Sequence, residues 1–189
     1  MPAPRVVLSR KPASQPAHTW FFALRPSQED ALRLQTYAER FLLSHGVSGK
    51  RIGAERLHIT LDLVGHDVEP ATENVATRIG ERLQCKAFDV LFDAAMTFSA
   101  PSAPLVLLGG QGLDAVRALR TELACASADA GFAPPRSFEP HMTLCYDPHH
   151  RLARTPIEPL GFRATEFALV KSHIGFSRHE VLRTWALLA

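Results

Sequence analysis

Residues 57–64 read Leu57-His58-Ile59-Thr60-Leu61-Asp62-Leu63-Val64, and a near copy, His141-Met142-Thr143-Leu144-Cys145, follows later in the chain. Side chains of a β-strand point alternately to its two faces, so the apolar residues of the first copy share one face. His58, Thr60 and Asp62 share the other face. Because the second copy alternates in the same way, we predict two strands that each bury an apolar face and present an imidazole beside a hydroxyl.

The rest of the chain supplies further strands and helices around these two His-x-Thr strands. Short alternating or apolar runs predict strands, and apolar residues three or four positions apart predict amphipathic helices. The additional predicted strands are at 20–24, 88–92, 105–108, 165–172 and 181–187. Helices are predicted from an N-cap at Ser27 to His45, from about Pro70 to Leu83, and from Leu113 to Ala130. The segments 47–56 and 148–159 are predicted as loops.

Composition and length indicate a packed domain with a small positive charge. The chain has 189 residues, of which 46% are hydrophobic and 21% are charged, which is enough to build a core. The net charge of +2 is too small for a protein that wraps duplex backbone, but it allows a local site for a phosphorylated end. We expect a flexible N-terminal arm at residues 1–18 and a single bilobal domain at residues 19–189.

Cysteine usage and hydropathy favour a cytoplasmic protein. Cys85, Cys125 and Cys145 form neither a disulfide framework nor a Cys-x-x-Cys pair, which favours a reducing compartment. No window reaches the roughly 18 consecutive apolar residues of a membrane span. The N-terminal residues also lack the apolar run of a signal peptide. We therefore expect a cytoplasmic monomer without membrane contact.

Two histidines that share a cleft can divide the work of opening a phosphodiester. A neutral imidazole accepts the proton of the attacking water or hydroxyl, and a protonated one donates to the departing oxygen. Each threonine points the same way as its histidine and can donate to a non-bridging phosphate oxygen. This chemistry needs no metal and no cofactor, so we expect neither. The alternative is that both histidines are half-buried strand residues that happen to precede threonine, but the duplication favours function.

Both motifs resemble those of the 2H phosphoesterase superfamily, as do Trp20–Pro26 upstream and Arg136–Pro140 before the second copy. The chain is similar, from Trp20 to Leu187, to the branch of bacterial and archaeal RNA 2′,3′-cyclic phosphodiesterases, also called 2′-5′ RNA ligases. The resemblance implies an α+β fold of two pseudo-symmetric lobes, each an antiparallel sheet with helices on its outer face, flanking a central V-shaped cleft. It also implies hydrolysis of RNA 2′,3′-cyclic phosphate ends to 2′-phosphates, with 2′-5′ joining as the formal reverse.

The same resemblance implies that His58 donates a proton to the leaving oxygen and that His141 activates water, with Thr60 and Thr143 holding the phosphate. The spacing of the motifs allows either order of acid and base. Members of this branch often carry an arginine where this chain has Tyr146. Arg136 is either the substrate-binding replacement for that charge or a solvated loop cation.

Two other functions stay open at this stage. The same four side chains could serve a small cyclic nucleotide or ADP-ribose cyclic phosphate, or the cleft could belong to a non-catalytic module that binds RNA ends. Among the remaining polar residues, we expect Asp62 at an exposed strand end and His149 and His150 in a solvent-exposed loop rather than at a metal. His173 and His179 are expected to be weak substrate contacts.

Overall fold

The computed structural model describes residues 16–132 and 137–189 as an α+β fold built on one antiparallel sheet. The strands are β1 His18–Leu24, β2 Lys50–Arg51, β3 Ile59–His66, β4 Phe88–Thr97, β5 Pro104–Leu108, β6 Met142–Tyr146, β7 Thr155–Ala164, β8 Glu166–His173 and β9 Arg178–Ala186. The α-helices are α1 Gln28–Ser44, α2 Pro70–Arg82 and α3 Asp114–Asp129. The α+β prediction and the antiparallel pairing are confirmed.

The strands follow the order β7-β4-β5-β6-β3-β1-β8-β9, and β2 pairs with β6. The two motif strands are therefore neighbours at the centre of the sheet, where β3 and β6 pair through Ile59 and Met142. The predicted division into two separate lobes, each with its own sheet, is not confirmed. The β3–β6 pairing joins β7, β4, β5 and β6 to β3, β1, β8 and β9, so the sheet is continuous.

The helices form where the sequence supplies both a start signal and an apolar stripe. The Ser27 side chain accepts a hydrogen bond from the backbone N–H of Asp30 and so caps α1, as predicted. Along α1, the buried residues recur three or four positions apart and include Leu34 and Phe41. The predicted helices end within one or two residues of the observed ones, which is the usual uncertainty at helix ends.

The main core lies between the helices and one face of the sheet. Alternation along β1 assigns Phe22 and Leu24 to this core, whereas Phe21 and Ala23 fall in a small cluster on the opposite face. A second small cluster on that opposite face contains Ala94, Val106 and Leu108 of β4 and β5. The face away from the helices therefore has one apolar cluster on each side of the central motif strands.

Two strands lie in segments that the sequence predicted as loops. The first is β2, which has only two residues, both exposed. The second is β7, whose Pro156 and Pro159 argued against a strand. Among the described strands, β7 pairs only with β4 and is the edge of the sheet, so a proline there interrupts no second ladder of hydrogen bonds.

The predicted arm at residues 1–18 lies outside the described residues except for its last three, and here its boundary needs correction. His18 already begins β1. The backbone N–H groups of Ala17 and His18 donate to the Asp67 carboxylate at 3.1 and 2.9 Å, which ties this end of the chain to the end of β3. Within residues 16–132 and 137–189, no helix has the length and apolar character that crossing a membrane requires.

Candidate active site

The two His-x-Thr motifs meet on the face of the sheet that the helices leave open. Thr60 pairs with Ala23 and Thr143 pairs with Val106, and both partners belong to the small apolar clusters of that face. Residues directly opposite each other in antiparallel strands point to the same side of the sheet. The threonines therefore point away from the helices, towards a common surface.

A cavity of about 290 Å³ lies over this junction, and all four motif side chains line it. His58, Thr60, His141 and Thr143 are each partly buried, so they remain in reach of a ligand. The other lining residues are Ile52, Arg56, Tyr146, Ser172 and His179. The structure thus brings together four of the five predicted site residues, while the fifth, Arg136, lies outside the described residues.

The two histidines are held by equivalent hydrogen bonds. His58 Nδ1 donates to the backbone carbonyl of Arg56 at 2.6 Å, and His141 Nδ1 donates to the carbonyl of Glu139 at 2.7 Å. A carbonyl oxygen can only accept, so Nδ1 carries a hydrogen in both rings. The other ring nitrogen, Nε2, is left to exchange a proton with whatever occupies the cavity.

Each histidine ring also has a phenylalanine neighbour. The Phe21 ring stacks on His58 with 5.1 Å between centroids, and the Phe98 ring meets His141 edge-on at 4.8 Å. Phe21 belongs to one of the small clusters, and Phe98 packs against the other. Aromatic contacts and the Nδ1 hydrogen bonds together fix the direction of both rings, which a proton-transfer group requires.

The electrostatics of the site keep His58 neutral. Burial, together with the smaller effects of the nearby charges of His141, Arg25 and Arg56, lowers the pKa of His58 to about 4. The hydrogen bond to the Arg56 carbonyl acts in the opposite direction. Near neutral pH, without a bound anion, the Nε2 atom of His58 is therefore an acceptor.

His179 is a third histidine of the cavity. Its ring lies 5.1 Å from His58 and 5.6 Å from Phe21, measured between centroids. Burial, with smaller contributions from the charges of His58, Arg56 and Arg25, lowers the pKa of His179 to about 4. His173, by contrast, does not line the cavity, and its Nε2 lies 3.0 Å from a Glu180 carboxylate oxygen.

Sequence reasoning could have separated these two histidines. His179 lies opposite Ser172 in the β8–β9 ladder, and both residues line the cavity. Once β8 is placed beside β1, the alternation of side chains assigns these positions to the open face. Arg56, which also lines the cavity, was missed because it precedes the motif strand in a segment predicted as loop.

The expectation that Asp62 lies at an exposed strand end is wrong. Asp62 is only 4% exposed, and its carboxylate lies 3.5 Å from the guanidinium of Arg120 on α3. The cause is an irregularity in the β1–β3 ladder, where Phe22 pairs with Asp62 but Ala23 pairs with Thr60. The extra residue reverses the alternation, so Asp62 faces the helices while Thr60 faces the cavity.

A larger cavity, of about 560 Å³, lies elsewhere on the protein, between the start of α1 and residues 54–57. Its lining includes Arg25, Gln35 and Glu55 but none of the motif histidines or threonines. In the part of the chain that the structure describes, no group of three or more His, Cys, Asp or Glu side chains could hold a metal ion. The expectation that the protein uses no metal stays a prediction.

Comparison with known proteins agrees with the resemblance seen in the motifs. Residues 26–175 match the 2′-5′ RNA ligase superfamily. An RNA 2′,3′-cyclic phosphodiesterase of Aeropyrum pernix is 35% identical over 105 residues, which cover 52% of this chain and 57% of that protein. The match therefore spans little more than half of that relative.

Solved structures with the same fold cover nearly the whole chain. E. coli LigT in its apo form is 25% identical with a TM-score of 0.72, over 93% of this chain and 100% of that chain. LigT complexed with 3′-AMP gives 24% identity and a TM-score of 0.73 over the same shares. A structure described as a phosphoesterase gives 23% identity and a TM-score of 0.75, over 91% of this chain and 99% of that chain.

Proposed function

The chain belongs to the 2′-5′ RNA ligase superfamily, and from that premise we propose that it hydrolyses RNA 2′,3′-cyclic phosphate ends to 2′-phosphates. The observation that carries the proposal is the pair of His-Thr motifs around one cavity. In each histidine, Nδ1 is bound to a carbonyl, and among the described residues Nε2 has no hydrogen-bond partner, which leaves it available for proton transfer. The name of the Aeropyrum pernix relative supports the same substrate class.

The reaction requires one proton acceptor and one proton donor on opposite sides of the phosphorus. We assign His141 as the acceptor, which takes a proton from water as the water oxygen bonds to phosphorus. His58 donates its Nε2 proton to the ribose 3′-oxygen as the bond between phosphorus and that oxygen breaks. The product keeps the phosphate on the 2′-oxygen, and the two rings exchange their protonation states.

The donor role of His58 depends on the charge of the substrate. Because burial lowers the pKa of His58 to about 4, the ring is neutral near pH 7 when no anion is bound. A cyclic phosphodiester carries a negative charge, which raises the pKa of an adjacent imidazole. Substrate binding is therefore expected to draw one proton onto His58, which readies the ring to donate.

Thr60 and Thr143 are assigned to the non-bridging oxygens of the phosphate. Both hydroxyls line the cavity beside their histidines, one from each of the two motif strands. Charge accumulates on these oxygens as the fifth bond to phosphorus forms, so donors fixed in advance stabilise the transition state more than the substrate. In this assignment the two histidines and the two threonines all act on one phosphate group.

The proposal is tested by incubating the purified protein, in the presence of a chelator, with an oligonucleotide that ends in a 2′,3′-cyclic phosphate. The expected product is the 2′-phosphate, distinguished from the 3′-phosphate by chromatography against standards. His58→Ala and His141→Ala should each abolish most of the turnover. The proposal fails if the wild-type protein does not turn over the substrate, or if neither substitution matters.

A small cyclic nucleotide is the second candidate substrate. The cavity volume of about 290 Å³ lies at the lower end of ligand sites, which matches a ribose cyclic phosphate without further nucleotides. A length series from a mononucleotide 2′,3′-cyclic phosphate to a ten-residue oligonucleotide separates the two substrates. If the substrate is an RNA end, kcat/KM should rise with oligonucleotide length. If it is a mononucleotide, kcat/KM should be highest for the shortest member of the series.

A further inference from the structure

The cavity is lined by a positively charged residue that the assignments above do not use. Arg56 lines the cavity together with the two motif histidines and both threonines. Of the lysines and arginines within residues 16–132 and 137–189, it alone is part of this lining. Its charge also lies near enough to lower the pKa of both His58 and His179.

The position of Arg56 is fixed by the backbone. Residues 54–56 form a short helical turn directly before the first motif, and Arg56 is its last residue. The carbonyl of Arg56 accepts the Nδ1 hydrogen bond of His58 at 2.6 Å. The same residue therefore orients a motif histidine through its main chain while it contributes its own surface to the cavity.

The guanidinium of Arg56 is only weakly engaged by the protein. Its side chain is 14% exposed, and its Nε atom is buried with no hydrogen-bond partner among the described residues. Its Nε forms an ion pair with the Glu55 carboxylate at 3.6 Å, but this distance is too long for a hydrogen bond, and the Glu55 side chain is 73% exposed, so solvent screens the pair. A mostly buried cation with so little internal compensation favours the binding of an anion.

We propose that Arg56 binds the phosphate group of the substrate and contributes positive charge to this cavity. The inference rests on the proposed function for the identity of the substrate, but the binding of a phosphate anion can be measured without turnover. A guanidinium donates two parallel hydrogen bonds to phosphate oxygens, a geometry that a threonine hydroxyl cannot provide.

Other nearby cations are less suited to this role. Arg25 belongs to the lining of the larger cavity, and it donates to the backbone carbonyl of Glu55 at 3.1 Å. Lys50 and Arg51 are exposed on β2 and do not line the motif cavity. Tyr146 lines the cavity from β6 but carries no positive charge. Among the lysines and arginines of residues 16–132 and 137–189, Arg56 is therefore the one best placed to attract a negatively charged ligand.

The test measures the affinity for inorganic phosphate by calorimetry in Arg56→Gln, Arg56→Lys and Arg40→Gln. Arg40 is an exposed residue of α1 outside the cavity lining, so Arg40→Gln is a control for the change in net charge. Loss of a charge-assisted hydrogen-bonding partner should weaken phosphate binding roughly 10- to 100-fold in Arg56→Gln. Arg56→Lys keeps the charge but not the planar fork and should fall between Arg56→Gln and the wild type.

A second measurement needs no substitution. In the wild-type protein, the NMR signal of the Arg56 Nε–H group should shift when inorganic phosphate is added, because the guanidinium becomes a donor to the anion. The inference is overturned if this signal does not move, or if a folded Arg56→Gln binds phosphate as tightly as Arg40→Gln. A protein that does not turn over the cyclic phosphate but loses phosphate affinity in Arg56→Gln would contradict the proposed function alone.

Discussion

Ile59 of β3 and Met142 of β6 form the pairing that joins the two motif strands. Each lies directly after a motif histidine, so this pairing sets where His58 and His141 stand relative to each other. Both apolar side chains are fully buried in the main core on the helix side of the sheet. The core thereby holds the two imidazoles over one cavity although they are remote in sequence.

The first prediction separates the structural and chemical roles of His58. The side-chain amide of His58→Asn can still donate to the Arg56 carbonyl, but it has no group in the place of Nε2. We expect the rate on the cyclic-phosphate oligonucleotide to fall roughly 10²- to 10⁴-fold, while the free energy of unfolding changes by less than about 1 kcal/mol. Steady-state kinetics and urea unfolding measure the two effects.

The control for this substitution is His149→Asn, because His149 is exposed in the loop after β6 and does not line the cavity. Its activity should equal that of the wild type. A His58→Asn protein that is folded and fully active would contradict a proton-transfer role for His58.

The second prediction concerns the dependence of stability on pH. The pKa values of His58 and His179 are both lowered from 6.5 to about 4, chiefly by burial. Between these values the unfolded chain binds more protons at the two positions than the folded protein does. The free energy of unfolding should therefore fall as the pH falls from 6.5 to 4.

Urea unfolding at a series of pH values measures this slope. His58→Asn and His179→Asn should each make the slope shallower than that of the wild type, because each removes one site of proton uptake. Identical slopes in the wild type and in both cavity variants would show that neither ring is kept neutral by burial.

The third prediction concerns the two threonines. Thr60→Val and Thr143→Val remove a hydroxyl while keeping the branched shape, so the main effect should be on the transition state. We expect kcat to fall roughly 10- to 100-fold in each variant. Thr36→Val, on the exposed side of α1, serves as the control. If kcat is unchanged in Thr60→Val or Thr143→Val, the hydroxyl removed in that variant has no role in the mechanism.

The fourth prediction concerns the buried pair of Asp62 and Arg120. Their charged groups are 3.5 Å apart, and the Arg120 guanidinium lies 5.4 Å from the centroid of the Phe138 ring, just before the second motif. Asp62→Asn leaves the Arg120 charge buried without its partner and should cost about 3–5 kcal/mol of stability.

The double variant Asp62→Leu with Arg120→Met removes both charges and should recover most of this loss. Denaturant unfolding of the two variants provides the comparison. If Asp62→Asn were as stable as the wild type, the pair would not be an internal charge interaction that the fold depends on.

The sequence was informative where one short pattern determined the local structure. The His-x-Thr strands, the Ser27 cap and the helical stripes each depend on residues within a few positions of one another, so they could be predicted. The prediction that Asp62 is exposed was wrong because it assumed unbroken alternation, and the irregularity opposite Phe22 and Ala23 reverses the faces of β3.

Other features depend on contacts between distant parts of the chain. β7 can accommodate Pro156 and Pro159 because it pairs with β4 along one side and forms the edge of the sheet. His179 reaches the cavity because β9 pairs with β8, and Arg56 shares the cavity with Thr143 and Tyr146 of β6, a strand that is remote in sequence. Neither residue has a local signal that distinguishes it from an ordinary surface histidine or arginine.

The most direct test of the central claim is a comparison of rates for the wild type, His58→Ala, His141→Ala and the double variant on the 2′,3′-cyclic-phosphate oligonucleotide. If the two imidazoles act as a unit on one phosphate, the double variant should be about as slow as the slower single variant. Independent effects that multiply in the double variant, or single variants that retain wild-type rates, would contradict the account.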